Sequence, residues 1–185
     1  MPDKDLIEIK ISRVIPAKKW KVVRLLTKVW EFPLYMPNVK EASVIQKSGH
    51  QMKTKWRVQV DNVPISWVEE DMLLLDENTI SFRANEGDLE EFRGAWIFKD
   101  HPEGTEVTLQ AYLKVGIPAI KDFTDPYIKK LLTRNFEGIL EALERRLISI
   151  RYAGYKKGDT RNLSGFGIIG HLYNFNHLET CLKML

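Results

Sequence analysis

The sequence predicts an α+β fold: a curved antiparallel sheet of six or seven strands wrapped around one long C-terminal helix, with two short helices after the first strand. Three observations lead there. Between residues 6 and 115, apolar and polar side chains alternate in a series of short runs, the period of half-buried strands. Most of the connections between runs are a few residues long, which joins neighbours in antiparallel fashion. The period then changes to that of a helix over Asp125–Ile150.

The first run, Leu6–Arg13, sets Ile7, Ile9 and Ile11 on one side and Glu8, Lys10 and Ser12 on the other. Pro16 suits the first turn of a helix, and Trp20, Val23 and Leu26 follow at helical spacing. Pro33 and Pro37 limit WEFPLYMPNV to a short second helix and a turn. Strands are then expected at Ala42–Lys47, Gln51–Val60, Ile65–Leu75, Thr79–Asn85, Glu91–Lys99 and Val107–Val115. Met52, Thr54, Trp56, Val58 and Val60 share one face, as do Phe92, Gly94, Trp96 and Phe98. In the last strand the shared face carries Val107, Leu109, Ala111, Leu113 and Val115. The long helix has Asp125 as N-cap, Pro126 at its first position and an inward stripe of Ile128, Leu131, Leu132, Asn135, Phe136, Ile139, Leu143 and Leu147. At about 1.5 Å per residue it would span about 37 Å, enough to cross the sheet.

Residues 1–150 are expected to form one domain. Residues 151–185 read as a polar, glycine-bearing linker followed by an amphipathic C-terminal helix carrying Ile168, Leu172, Phe175, Leu178, Leu182 and Leu185. That tail has five basic and two acidic side chains, against 23 of each in residues 1–150. A neutral main body argues against a nucleic-acid surface there, so no nucleic-acid partner is expected. The tail helix has three expected fates: docking on its own domain, subunit contact, or peripheral membrane contact through residues 168–185. The N-terminus lacks the pattern of a signal peptide, and no stretch approaches the roughly 20 apolar residues of a membrane span. With one cysteine, Cys181, the expectation is a cytoplasmic protein.

The segment Gly87–Trp96 (GDLEEFRGAW) carries a resemblance. Gly87, Asp88, Gly94, Trp96 and Phe98 meet the strand-entry pattern of the START-like superfamily, also called SRPBCC or helix-grip, with Leu89 in place of Phe. Val29, Phe32, Pro33, Pro37 and Val39 meet its short V-x-x-F-P-x-x-x-P-x-V turn. Over residues 5–150 the chain is similar to the polyketide cyclase/dehydrase and coenzyme-Q-binding START branches. The resemblance implies a hydrophobic cavity between sheet and helix. Family aromatase/cyclases carry a W-x-S-x-R pattern, whose nearest equivalent here is Trp67–Asp71, with Glu69 in place of Ser and Asp71 in place of Arg. A carboxylate at that place would repel the oxyanion an arginine stabilises.

The aromatic set Tyr35, Trp56, Trp67, Phe82, Trp96, Tyr112 and Phe136 is expected to line the cavity, set against the plainer reading that these rings fill a solid core. Glu69 and Asp71 share a face with Trp67 and are the candidate acid and base if that face points inward; Val68, Met72 and Leu74 make the opposite face apolar too, so its direction stays open. Arg57, Arg83 and Arg93 alternate with inward rings and are expected on the surface. Gly165, Gly167 and Gly170 spell a dinucleotide fingerprint without the strand it requires. His177 and Cys181 are too few for a zinc site, so neither metal nor cofactor is expected. The function expected is binding or carriage of a hydrophobic small molecule (quinone, lipid, isoprenoid or polyketide-like). The alternatives are a cyclase/dehydratase using Glu69 and Asp71, and a protein–protein interaction module.

Overall fold

The computed structural model describes residues 6–60, 62–115 and 125–158. Strand β1 is Ile7–Ile15, helix α1 is Lys19–Thr27, and a 3-10 turn covers Val29–Leu34. Strands β2 (Val39–Ser48), β3 (Gln51–Val60), β4 (Val63–Leu74), β5 (Thr79–Gly87), β6 (Leu89–His101) and β7 (Gly104–Val115) follow, then helix α2 (Asp125–Gly158).

All seven strands form one antiparallel sheet in the order β1-β7-β6-β5-β4-β3-β2. Five consecutive hairpins build β2 to β7, and β1 returns to pair with β7, Ile9 opposite Ala111. Because β1 and β2 are the two edges, the chain between them must cross the whole sheet. The segment α1 plus the 3-10 turn makes that crossing and closes one end of the concave face.

Curvature comes from irregular register. Lys40 and Ile45 are extra residues on β2 against β3, and Asn85 is extra on β5 opposite the Val68–Glu69 step of β4. Each bulge bends its strand and increases local twist. At the β5–β6 turn Gly87 takes φ +127°, which a side chain rarely tolerates, and a Cβ there would collide with the Ser66 carbonyl oxygen. Asp88 fixes this turn to β4: its carboxylate accepts the Ser66 N–H at 2.7 Å and its own N–H donates to the Ser66 oxygen at 2.9 Å. The GD of the resemblance is therefore a strand clamp.

Helix α2 lies across the concave face. At about 1.5 Å per residue its 34 residues run about 50 Å. The linker expected from residue 151 is corrected here: the helix continues to Gly158. Extending a preformed helix costs far less than nucleating one, so even Gly154, at about 1 kcal/mol relative to Ala, does not stop it. The amphipathic helix expected at 168–185, the glycines 165–170, His177 and Cys181 lie outside the described residues. Among the described residues no helix is long and apolar enough to cross a membrane.

Two apolar clusters make the core. One joins α1, the 3-10 turn, β2, β3 and the second half of α2 through residues such as Val22, Leu26, Phe32, Trp56, Leu143 and Leu147. The other joins β1, β6, β7 and the first half of α2 through Ile9, Phe92, Leu109, Leu113, Ile128 and Leu132. Trp67 and Trp96 pack against both. Arg13 of β1 tethers α2 from the rim, 2.6 Å from Glu144 and 3.8 Å from Glu141.

Candidate functional site: a carboxyl pair in an aromatic chamber

Where the two clusters meet, the interior is hollow. A chamber of about 90 Å³ is walled by Phe32, Met52, Trp56, Trp67, Glu69, Asp71, Phe82, Phe92, Trp96, Phe136 and Ile139, among others. A second, of about 180 Å³, lies beside it under α2, between Met36, Val60, Ile65, Leu113, Leu132 and Gly138. Trp67, Phe92, Phe136 and Ile139 border both.

The wall begins with a register pair. Trp56 on β3 stands opposite Trp67 on β4, and the indoles stack with centroids 5.8 Å apart and planes 8° from parallel. Phe32 closes on Trp56 at 5.5 Å, and Phe92 meets Trp67 edge-on at 5.5 Å. Phe82 and Phe136 lie 5.0 and 6.5 Å from Phe92. Phe82 faces Gly94 across the β5–β6 ladder, and a Cβ on Gly94 would strike the Gln110 carbonyl oxygen and the Phe82 ring. Gly94 is thus the gap that seats this ring.

The polar groups sit on the same wall. On β4 the odd-numbered residues Ile65, Glu69, Asp71 and Leu73 are buried and Glu70 is exposed, which settles the direction the sequence left open. Glu69 and Asp71 are 5% and 8% exposed. The Trp67 indole N–H donates to Glu69 Oε2 at 2.6 Å. The Thr54 hydroxyl donates to Asp71 Oδ2 at 2.9 Å, and the Trp56 indole N–H donates to Thr54 Oγ1 at 2.9 Å. Both indoles thereby support the pair, Trp67 directly at Glu69 and Trp56 also at Asp71 through the fully buried Thr54.

Burial pushes both acids up. Glu69 is held well above the ordinary carboxylate range, first by loss of water and then by the charge of Asp71, against the indole hydrogen bonds that favour its anion. Burial raises Asp71 to about 6, opposed by hydrogen bonds from Thr54 and from Glu69. A proton donated by Glu69 to Asp71 favours acid on the first and anion on the second. The two acids titrate as a unit, with the shared proton favoured on Glu69 and the negative charge on Asp71.

Of the seven expected cavity residues, Trp56, Trp67, Phe82, Trp96 and Phe136 line the hollow. Tyr112 is a correction. It alternates with the inward Ala111 and Leu113, so it stands on the outer face, stacked under Arg93 at 4.8 Å and hydrogen-bonded to Gln110 at 2.6 Å. Tyr35 borders neither chamber; its ring packs edge-on against Phe32 at 5.8 Å beside the Arg146 guanidinium, and burial raises its pKa. Arg57 and Arg83 are exposed and Arg93 is on the outer face, as alternation predicts.

Thr54 and Phe92 are site residues that the sequence reading placed on inward faces without assigning them a role. A threonine between Met52 and Trp56 on an apolar face was the available signal, because a buried polar group requires a partner. Asn38 and Asn135 were also missed: their amides bond at 2.7 Å beside the second chamber and link the entry of β2 to α2. A larger hollow, about 560 Å³, is on the opposite side of the sheet, a trough with Lys53, Glu70, Arg83 and Arg93 on its walls. Its walls are about as polar as they are apolar, whereas the interior chambers are almost wholly apolar, so the chambers are the better candidate for an apolar ligand despite their smaller volume.

Residues 15–139 match the family model described as polyketide cyclase/dehydrase and lipid transport. No curated protein matches the chain by sequence. Among solved structures, the protein TTHA0849 of Thermus thermophilus is similar at 26% identity and a TM-score of 0.73, covering 78% of this chain and 99% of that one. The Zhui aromatase/cyclase of a Streptomyces species is similar at 16% identity and a TM-score of 0.66, covering 76% and 93%. A START superfamily protein of Mycobacterium smegmatis is similar at 16% identity and a TM-score of 0.66, covering 78% and 98%. The latter two likenesses are of fold.

Proposed function

Because the chain belongs to the polyketide cyclase/dehydrase and lipid transport family, we propose that it binds and carries a hydrophobic small molecule between the sheet and α2. One observation carries the reading: the interior is an aromatic hollow whose polar side chains are concentrated on a single wall, at Glu69 and Asp71, with the buried Thr54 bonded behind Asp71. Ligand sites are built this way, with apolar area for affinity and a few placed polar groups for orientation. A solid core would have no use for two buried carboxyls, each of which costs desolvation energy.

The chambers, about 90 and 180 Å³, are smaller than the roughly 300–1,000 Å³ of common ligand pockets. Their shared border of Trp67, Phe92, Phe136 and Ile139 makes them one space when the half-buried Phe136 changes rotamer. The ring-lined wall favours a flat ring system, such as that of a quinone or an aromatic polyketide-like molecule, which can stack on Trp67 and its neighbours. Native mass spectrometry of freshly purified protein, followed by solvent extraction, tests the reading. A defined apolar molecule that co-purifies with the protein, and is lost on Phe136→Trp, is the expected result. Absence of any bound molecule together with no uptake of added hydrophobic probes would sink it.

A second reading is supported by the carboxyl pair itself: a cyclase/dehydratase in which protonated Glu69 is the acid and ionised Asp71 the base. On a β-hydroxy carbonyl substrate, Asp71 would take the α-proton while Glu69 protonates the departing hydroxyl. The carbon–oxygen bond breaks, a carbon–carbon double bond forms, and water leaves. Glu69→Leu and Asp71→Ala separate the two readings, because an enzyme loses turnover where a carrier has none to lose.

A further inference from the structure

The carboxyl pair has an electrostatic property that apolar binding alone does not require. Among the described residues, its charge is unmatched by any basic side chain in its own chamber. Thr54 from β3 bonds Asp71, and the chamber shared with the pair is lined by Trp56 from β3, Phe82 from β5, Phe92 and Trp96 from β6, and Phe136 from α2. None of these titrates near neutrality, and the described residues of the chamber wall include no Lys, Arg or His. Arg83 and Arg93 border the trough on the other side of the sheet, where Arg83 is exposed and Arg93 reaches Glu91 at 2.6 Å. Arg145 reaches Glu141 at 3.6 Å, Arg146 reaches Glu31 at 3.6 Å, and Lys53 reaches Glu86 at 3.2 Å on the outer face. The walls beside the pair are indole rings, whose faces attract cations electrostatically.

Resting on the reading that this chamber is a ligand site, we infer that its ligand is a hydrophobic amine, an aromatic or alicyclic body bearing one protonated nitrogen that pairs with Glu69 and Asp71. A buried charge is stable when paired and hydrogen-bonded, and here the missing partner is a cation. An ammonium supplies both the charge and N–H donors for carboxyl oxygens, while its apolar body occupies the ring-lined space. A carboxylate-bearing ligand is disfavoured by like charge, and a neutral alcohol supplies a donor without the charge. The same reasoning sets the place of Thr54 and the indoles: they hold the two carboxyls in orientation and leave the positive charge to the ligand.

The test uses the full chain and three matched probes, 2-phenylethylamine, 2-phenylethanol and phenylacetate, by titration calorimetry at pH 7.5. The amine is expected to bind at least tenfold tighter than the alcohol, and phenylacetate weakest. In the double variant Glu69→Gln/Asp71→Asn the amine-to-alcohol ratio is expected to fall to about one. Titration near pH 6 in buffers of different ionisation heat adds a second readout. Amine binding should release protons from the pair, and alcohol binding should not. An alcohol that binds as tightly as the amine, or an amine preference that survives in the double variant, overturns the amine assignment and leaves the chamber a neutral-ligand site. Failure of all three probes to bind overturns the assignment and counts against the chamber reading as well.

Discussion

Replacing Asp71 by Asn should stabilise this protein at neutral pH by an amount that depends on pH in a defined direction. Asp71 is almost fully buried, and its folded pKa of about 6 stands above its ordinary value of 3.8. A carboxyl whose folded pKa is raised is stabilising in its protonated form. That contribution is complete below the unfolded pKa and is lost as pH rises through the folded one. The rise from 3.8 to about 6 corresponds to a loss of about 3 kcal/mol by pH 7.5, of which about 1 kcal/mol has already gone by pH 4.5. Asn keeps an oxygen for the Thr54 hydroxyl and carries no charge to bury. The gain from Asp71→Asn should therefore grow by about 2 kcal/mol between pH 4.5 and pH 7.5. Chemical denaturation of both proteins at pH 4.5, 6 and 7.5 measures it; groups outside the pair cancel in the difference, and Glu69, relieved of the Asp71 charge, shifts the gain in the same direction. A gain independent of pH, or one that shrinks as pH rises, would refute the reasoning that burial sets the state of this acid.

Substitutions at three further positions probe the same geometry. Thr54→Val removes the donor to Asp71 and the acceptor of the Trp56 N–H, so it should cost about 1–3 kcal/mol and raise the Asp71 pKa above its present value, read by NMR titration of the carboxyl. Gly94→Ala should destabilise by about 1–3 kcal/mol in denaturant melts, because its Cβ meets the Gln110 oxygen and the Phe82 ring; unchanged stability would mean the strands there are free to part. Gly138→Ala should instead stabilise by about 1 kcal/mol, since α2 has open space around that position, and Gly138→Phe should fill the larger chamber and abolish uptake of an apolar probe followed by tryptophan fluorescence.

The sheet and the long helix were legible because burial on one face writes its period directly into the sequence. The alternation in β3 and β7 predicted which side chains face α2, and Trp56, Leu109 and Leu113 are buried accordingly. Tyr112 went astray against that same alternation: aromatic character suggested a pocket while its position between Ala111 and Leu113 placed it outside. Strand β4 was harder, because Val68, Met72 and Leu74 make its outer side apolar as well. The tight connection that pairs Val60 with Val63 holds the answer, since that register sets Trp67 opposite Trp56 and carries Glu69 and Asp71 to the same face. The end of α2 was not legible. Continuing an existing helix depends on weak propensities that a polar run with two glycines obscures. The hydrogen bonds from Trp56 to Thr54 and from Thr54 to Asp71 become visible only once side-chain directions in the ladder are known.

The interior chamber beside Glu69 and Asp71 is the place where a ligand should sit. A crystal structure of the full chain grown with 2-phenylethylamine tests this most directly. Density is predicted for the ring between Trp67, Phe92 and Phe136, with the nitrogen within hydrogen-bond distance of Glu69 or Asp71. Density in the outer trough beside Arg83 and Arg93, or chambers filled by protein side chains alone with the amine present, would contradict it.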